Sequence, residues 1–207
     1  MPKVSAKFGF YAILTNPVIG YEPLAKVLVE EAVPFIQLRI KNDNRENTLR
    51  IAKRISAICF GTQTKFIIND DPLLVVESGA DGVHLGQDDM PYEQARMILG
   101  PNRIIGLSTH NPDQVREANE LKPDYIGIGP VYETPTKQIA DPVLGLSGLK
   151  EMLALTNLPS IAIGGIDFSN IEDVMIAGAK NVCAVRLINE SKEPHKVLSQ
   201  LKQLFLN

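Results

Sequence analysis

Short apolar runs rich in β-branched residues recur along the chain, each closed by Gly, Asn, Asp or Pro. They predict strands over Phe10–Leu14, Phe35–Ile40, Lys65–Ile68, Gly82–Leu85, Ile104–Leu107, Tyr125–Ile128, Ser160–Ile163 and Val182–Val185. The segments between them carry apolar residues at helical spacing. In Glu46–Cys59, for example, Leu49, Ile51, Ala52, Ile55, Ile58 and Cys59 make one apolar face. Helices are likewise predicted over Pro23–Glu31, Pro72–Ser78, Tyr92–Leu99, Pro112–Leu121, Leu146–Leu155, Asn170–Ala177 and Pro194–Phe205. Several open on Pro, whose missing N–H has no partner to lose in a first turn.

Eight strand–helix pairs share 207 residues. That is about 26 residues per pair, room for a strand, a short helix and two loops. The pattern predicts an α/β chain folded as one (β/α)8 TIM-barrel domain over residues 1–207. A doubly wound sheet would need only about five or six such units. No linker or shift in composition divides the chain.

With 44% hydrophobic and 22% charged residues, 14 Pro and 15 Gly, the composition is that of a globular protein and excludes a disordered or low-complexity chain. Lys and Arg number 21 against 24 Asp and Glu, a net charge of -3, with no basic stripe for nucleic acid or an anionic membrane. The apolar runs are too short to span a bilayer, and Met1–Phe10 lacks the apolar core of a secretory signal. Cys59 and Cys183 cannot form a disulfide framework, and nothing pairs them at metal-ligand spacing. They are expected to be reduced, packed thiols in a cytoplasmic protein.

In a TIM barrel the polar residues that close each strand face the active-site mouth. A period of two aims Gln37, Arg39 and Lys41 inward and Ile36, Leu38 and Ile40 toward the helices. Inward cations call for an anion, either a ligand or a barrel carboxylate. Asp70 and one of Asp88 or Asp89 fall on neighbouring strand ends. Two carboxylates facing two cations suit Mg²⁺ with a diphosphate, although Asp70 with Asp71, and Asp88 with Asp89, could also cap the helices at Pro72 and Pro91. Ser108 and His110 share a face, with His110 read as a wall group rather than a general base. His84 is read as a buried or rim residue, and His195 as the start of the last helix with no partner in view. Thr134, Thr136 and Lys137 cluster after the sixth strand, on a loop whose Gln138–Leu144 stretch could act as a lid. Gly164 and Gly165 let backbone N–H groups approach a phosphate, although a tight turn accounts equally well for one of the two.

Seven motifs then stand in order at successive strand ends. They are Gln37-Leu38-Arg39-Ile40-Lys41, Asn69-Asp70, Asp81-Gly82-Val83-His84-Leu85-Gly86-Gln87-Asp88-Asp89, Gly106-Leu107-Ser108-Thr109-His110, Gly127-Ile128-Gly129-Pro130, Thr134-Pro135-Thr136-Lys137 and Ala162-Ile163-Gly164-Gly165-Ile166. Together they resemble the thiamine phosphate synthase (thiamine-phosphate pyrophosphorylase) family over nearly the whole chain. The resemblance implies a transferase that joins hydroxymethylpyrimidine diphosphate to thiazole phosphate, releasing diphosphate by a dissociative, Mg²⁺-dependent substitution. It implies that Gln37, Arg39, Lys41, Asn69 and Lys137 hold the pyrimidine diphosphate and that Asp70 and Asp89 ligate Mg²⁺. Ser108 would sit against the pyrimidine or diphosphate; Thr134, Thr136 and Gly165 would bind the thiazole phosphate beside Val185 and Arg186. Arg39, Lys41, Ser108 and Lys137 would then be the catalytic residues. The implied partners are these two small molecules, with no nucleic acid and no membrane, and a homo-oligomer is compatible with the reading.

The chain departs from the family pattern at four places. Lys180-Asn181-Val182 stands where Asp-Gly-Val is usual, and Arg186 where a small Ser lies beside the thiazole phosphate. Asp71 replaces a cation after Asn69-Asp70, and Asn16 an acidic residue after the first strand. A related thiazole tautomerase would carry His at the position of Pro130. A non-catalytic precursor-binding paralogue would have no need of a metal site. An isomerase of amino-acid biosynthesis would want an acid–base pair at opposite strand ends.

Overall fold

The computed structural model describes residues 3–41, 43–134 and 142–206. The elements run β1 (Gly9–Leu14), α1 (Tyr21–Glu30), β2 (Phe35–Leu38), α2 (Arg45–Cys59), β3 (Lys65–Asn69), α3 (Pro72–Ser78), β4 (Gly82–Leu85), α4 (Tyr92–Leu99) and β5 (Ile104–Thr109). They continue with α5 (Pro112–Leu121), β6 (Tyr125–Ile128), α6 (Gly145–Ala154), β7 (Ser160–Ile163), α7 (Ile171–Ile176), β8 (Asn181–Cys183), α8 (Val185–Asn189) and α9 (Pro194–Leu206). All the strands pair in parallel in chain order, and β8 returns to β1 with Gly9 opposite Asn181. This is the predicted (β/α)8 barrel.

The two-residue period of the strands divides the apolar side chains into two layers. Ala12, Leu14, Ile36, Leu38, Phe66 and Ile68 face outward and pack with Leu24, Leu28, Ile55 and Val75 of the helices. Tyr11, Ile13, Phe35, Ile67, Ile104, Tyr125, Ile161 and Cys183 fill the barrel. Short polar side chains start the helices: Asn44 accepts from Asn47 N, Asp71 from Leu74 N and Asn111 from Gln114 N.

The predicted eighth strand needs correction. It ends at Cys183, and Val185 opens a helix that the sequence did not announce. A continuous apolar run such as Val182–Val185 carries no periodicity to separate strand from helix. What decides is tertiary: Asn189 Nδ2 donates to Ile13 O and Val185 O (both 2.7 Å), and its Oδ1 accepts from Thr15 N (2.9 Å), tying α8 across the end of β1. At the opposite end of the barrel the buried Asn181 accepts from Phe8 N (2.6 Å) and Gly9 N (2.9 Å) and donates to Ala6 O and Ser160 O. The departure at this position is thus a clamp, with three bonds to the N-terminal segment and one to Ser160 of β7. Cys59 and Cys183 are buried and unpaired, and burial pushes the Cys59 thiol up to about 12. Among the described residues no helix is long and apolar enough to cross a membrane.

Candidate active site

The C-terminal ends of the strands open into a cavity of about 660 Å³ above the inner aromatic layer. Its walls include Gln37, Arg39, Ser108, Thr134, Gly165, Val185 and Arg186, so these sequence-assigned residues from five different strand ends do converge. Thr136 and Lys137, and most of the stretch proposed as a lid, lie outside the described residues.

Lys41, Asn69, Asp70 and Asp89 do not border that cavity; they form a charged cluster on the adjoining rim at the ends of β2, β3 and β4. Lys41 Nζ donates to Asp70 Oδ2 at 2.6 Å. Asp70 adopts the left-handed backbone (φ 67°), which a short polar side chain tolerates, while its N–H donates to His84 O at 2.8 Å. Asp89 Oδ2 accepts from Gly86 N at 2.6 Å and lies within hydrogen-bonding reach of Asp70. Burial, and next the Asp70 carboxylate, push the Asp89 carboxyl up to about 6. Asp71 is elsewhere employed: it caps α3 and stands 3.7 Å from Arg45 Nε, so its charge is taken up outside this cluster. No side chain caps α4 at Pro91. The division leaves Asp70 and Asp89 as the crowded pair. Among the described residues no group of three or more His, Cys, Asp and Glu is arranged around a metal. Two hard carboxylates are nonetheless what Mg²⁺ takes from a protein when phosphate oxygens complete its shell, and their crowding marks a site short of positive charge.

Across the mouth, β7 ends on two glycines with positive φ, 102° at Gly164 and 64° at Gly165. A Cβ on Gly165 would lie 2.5 Å from Glu133 O and 2.7 Å from Tyr132 Cβ, so no other residue fits this turn. The turn requirement applies to both glycines rather than one. Arg186, on α8, lines the same side of the cavity, 4.0 Å from Asp167 Oδ2. Arg39 has no ion-pair partner among the described residues. The mouth therefore presents two cations, one after β2 and one on α8, above an uncharged floor, an arrangement suited to anionic groups.

That floor holds what the sequence reading missed. Gln37 Nε2 donates to Tyr11 Oη (3.0 Å), Tyr11 Oη bonds Tyr125 Oη (2.7 Å), Tyr125 Oη bonds His84 Nδ1 (3.1 Å) and His84 Nε2 bonds Ser108 Oγ (2.9 Å). Gly106 makes room for it, since a Cβ there would stand 2.2 Å from Tyr125 Cζ. The signal was available: both tyrosines have inward parity, and a tyrosine buried inside a barrel must find a partner for its hydroxyl. His110 lines the cavity with its Nδ1 bonded to Gly129 O at 2.6 Å. His195 is not alone, as the sequence had implied: its Nδ1 meets Glu31 Oε1 at 2.9 Å.

A closed parallel barrel with cations at its C-terminal mouth and a carboxylate pair on the rim defines a TIM-barrel protein whose candidate site lies at the strand ends. The chain belongs to the thiamine monophosphate synthase family, whose model matches residues 13–188. It is 39% identical over 196 residues to the thiamine-phosphate synthase of Nostoc sp., covering 93% of this chain and 56% of that protein. It is 40% identical over 176 residues to the thiamine-phosphate synthase of Vibrio parahaemolyticus, covering 85% and 86% of the two chains. The thiamine phosphate pyrophosphorylase structure from Pyrococcus furiosus superposes with a TM-score of 0.88 at 28% identity, covering 97% of this chain and 96% of that one. The chain thus spans about half the length of the cyanobacterial relatives it matches and most of the length of the others.

Proposed function

We propose that this chain is a thiamine phosphate synthase, joining hydroxymethylpyrimidine diphosphate to thiazole phosphate with release of diphosphate. The observation that carries this reading is the crowded Asp70–Asp89 pair with Lys41, set on the rim of a cavity lined by Arg39 and Arg186. Asp70 and Asp89 would hold Mg²⁺, which would neutralise charge on the departing diphosphate. Arg39, with Gln37 and Asn69 nearby, binds and orients the pyrimidine diphosphate; Lys137 joins them by family resemblance, as does Thr136 at the thiazole phosphate.

Such a reaction asks for a stabilised leaving group rather than a strong base. The pyrimidine carbon–oxygen bond breaks first, the diphosphate keeps the electron pair, and the thiazole nitrogen then bonds the carbon. The uncharged floor sets no like charge against a delocalised cation. Thr134, the Gly165 turn and Arg186 receive the thiazole phosphate beside Val185. We place the protein in the cytoplasm, in keeping with its two unpaired buried thiols.

The test combines purified protein, Mg²⁺ and both precursors, and follows thiamine phosphate together with diphosphate. Equal, chelator-sensitive formation of the two products is expected. Tight binding of one precursor with no product would overturn the synthase reading in favour of a binding paralogue.

A further inference from the structure

The Tyr11 hydroxyl lies buried inside the barrel and meets two groups among the described residues, Gln37 Nε2 and Tyr125 Oη. An amide nitrogen only donates, so Gln37 occupies the Tyr11 oxygen as a donor. The Tyr11 proton is then left with one acceptor, the oxygen of Tyr125. Tyr125 carries one proton as well, and its remaining partner is His84 Nδ1. A neutral imidazole that accepts at Nδ1 bears its proton on Nε2, and that nitrogen points at Ser108 Oγ. His84 therefore donates to Ser108, and the Ser108 proton is turned away from His84 toward the cavity that Ser108 lines. Running the chain in reverse would leave the Tyr11 proton unpaired among Ile13, Phe35 and Ile67, which folded proteins avoid. Burial raises the titration of both tyrosines well above that of a free phenol, so each keeps the proton it passes on.

We propose that Gln37, acting through Tyr11 and Tyr125, holds His84 as the neutral Nε2–H tautomer and so sets Ser108 as a hydrogen-bond donor to the ligand in the cavity. Tyr11, Tyr125 and His84 are positioning residues, and the ligand atom seated on Ser108 is an acceptor such as a ring nitrogen or a phosphate oxygen. The identity of that ligand rests on the synthase reading; the direction of the chain does not.

The decisive measurement is a two-bond ¹H–¹⁵N correlation spectrum of the ¹⁵N-labelled full chain at neutral pH, with His84 assigned by its disappearance in His84→Gln. The expected pattern is protonated Nε2 and bare Nδ1. An Nδ1–H pattern, or exchange between the two tautomers, would overturn the proposal. Gln37→Glu replaces the donor on the Tyr11 oxygen with a carboxylate acceptor, so the chain should reverse and His84 should show protonated Nδ1; an unchanged spectrum would show that Gln37 does not set the direction. In turnover, Tyr125→Phe should raise KM for the pyrimidine diphosphate about tenfold, the worth of one hydrogen bond, with KM for thiazole phosphate unchanged. Equal losses for both substrates would reduce Tyr125 to packing. If the wild-type chain makes no thiamine phosphate, the synthase reading fails while the spectrum still decides the tautomer. Should Tyr125→Phe not fold, the wild-type and Gln37→Glu spectra suffice.

Discussion

Lys41 Nζ stands 2.6 Å from Asp70 Oδ2, and Asp70 is at the same time the close neighbour of Asp89. One ammonium thus serves two carboxylates, and burial, with the Asp70 carboxylate next, holds the second up at about 6. A divalent cation would relieve the repulsion between them. In the wild type, Mg²⁺ with inorganic diphosphate at a hundred times its Kd should add about 2.7 kcal/mol to stability. Asp89→Asn should abolish this gain while leaving the metal-free protein at least as stable as the wild type. Thermal denaturation with and without the two additives measures both. A full Mg²⁺ response in the variant would remove Asp89 from the metal site.

Arg39 and Lys41 leave β2 two residues apart but in different states. Lys41 is committed to Asp70, whereas Arg39 has no ion-pair partner among the described residues. Arg39→Ala should therefore weaken diphosphate binding by about 1.5–3 kcal/mol, the range for hydrogen bonds to charged groups, with little change in folding stability. Calorimetric titration of diphosphate reads the effect, and an unchanged Kd would place the anion elsewhere.

Arg186, on α8 after β8, stands where the family pattern has a neutral residue, with Asp167 4.0 Å away. Arg186→Ser should weaken thiazole phosphate binding and leave the pyrimidine diphosphate unaffected. Parallel titrations of the two precursors separate these, and unchanged binding of both would show that Arg186 takes no part.

Asn181, itself buried, ties the N-terminal segment to β7 through four hydrogen bonds, two of them buried and two part-buried. Asn181→Ala would leave several buried backbone groups unpaired, at about 1–3 kcal/mol each where no water enters. A total loss of roughly 3 kcal/mol or more is expected from urea unfolding. A shift within error would mean that the barrel closes without this clamp.

Glu31 binds both His195 and Lys202 of α9, and these bonds hold its carboxyl below the usual carboxylate range. A depressed carboxylate contributes stability above its unfolded value, and that contribution is lost as pH falls through the folded one. Glu31→Gln should therefore lower Tm slightly at pH 7 and leave it unchanged near pH 3, because the group is exposed and screened. A deficit that persists at pH 3 would point to packing instead.

The alternating apolar pattern was enough to determine the eight βα units, and with them the strand ends on which Gln37, Arg39, Ser108 and Gly165 would meet. Period-two and period-3.6 repeats are local, and a TIM barrel converts strand order directly into position around a mouth. The Asp doublets were legible as a class but not as individuals: capping and metal binding ask for the same residue. Only the tertiary structure assigns Asp71 to α3 and brings Asp70 against Asp89. The turn into α8 was likewise decided by Asn189 reaching across to β1, a contact invisible to any local pattern. The chain of hydroxyls from Gln37 to Ser108 runs across the barrel between residues up to 114 positions apart. Its members came together because inward-facing polar groups must find one another, and where they do so is fixed by barrel register.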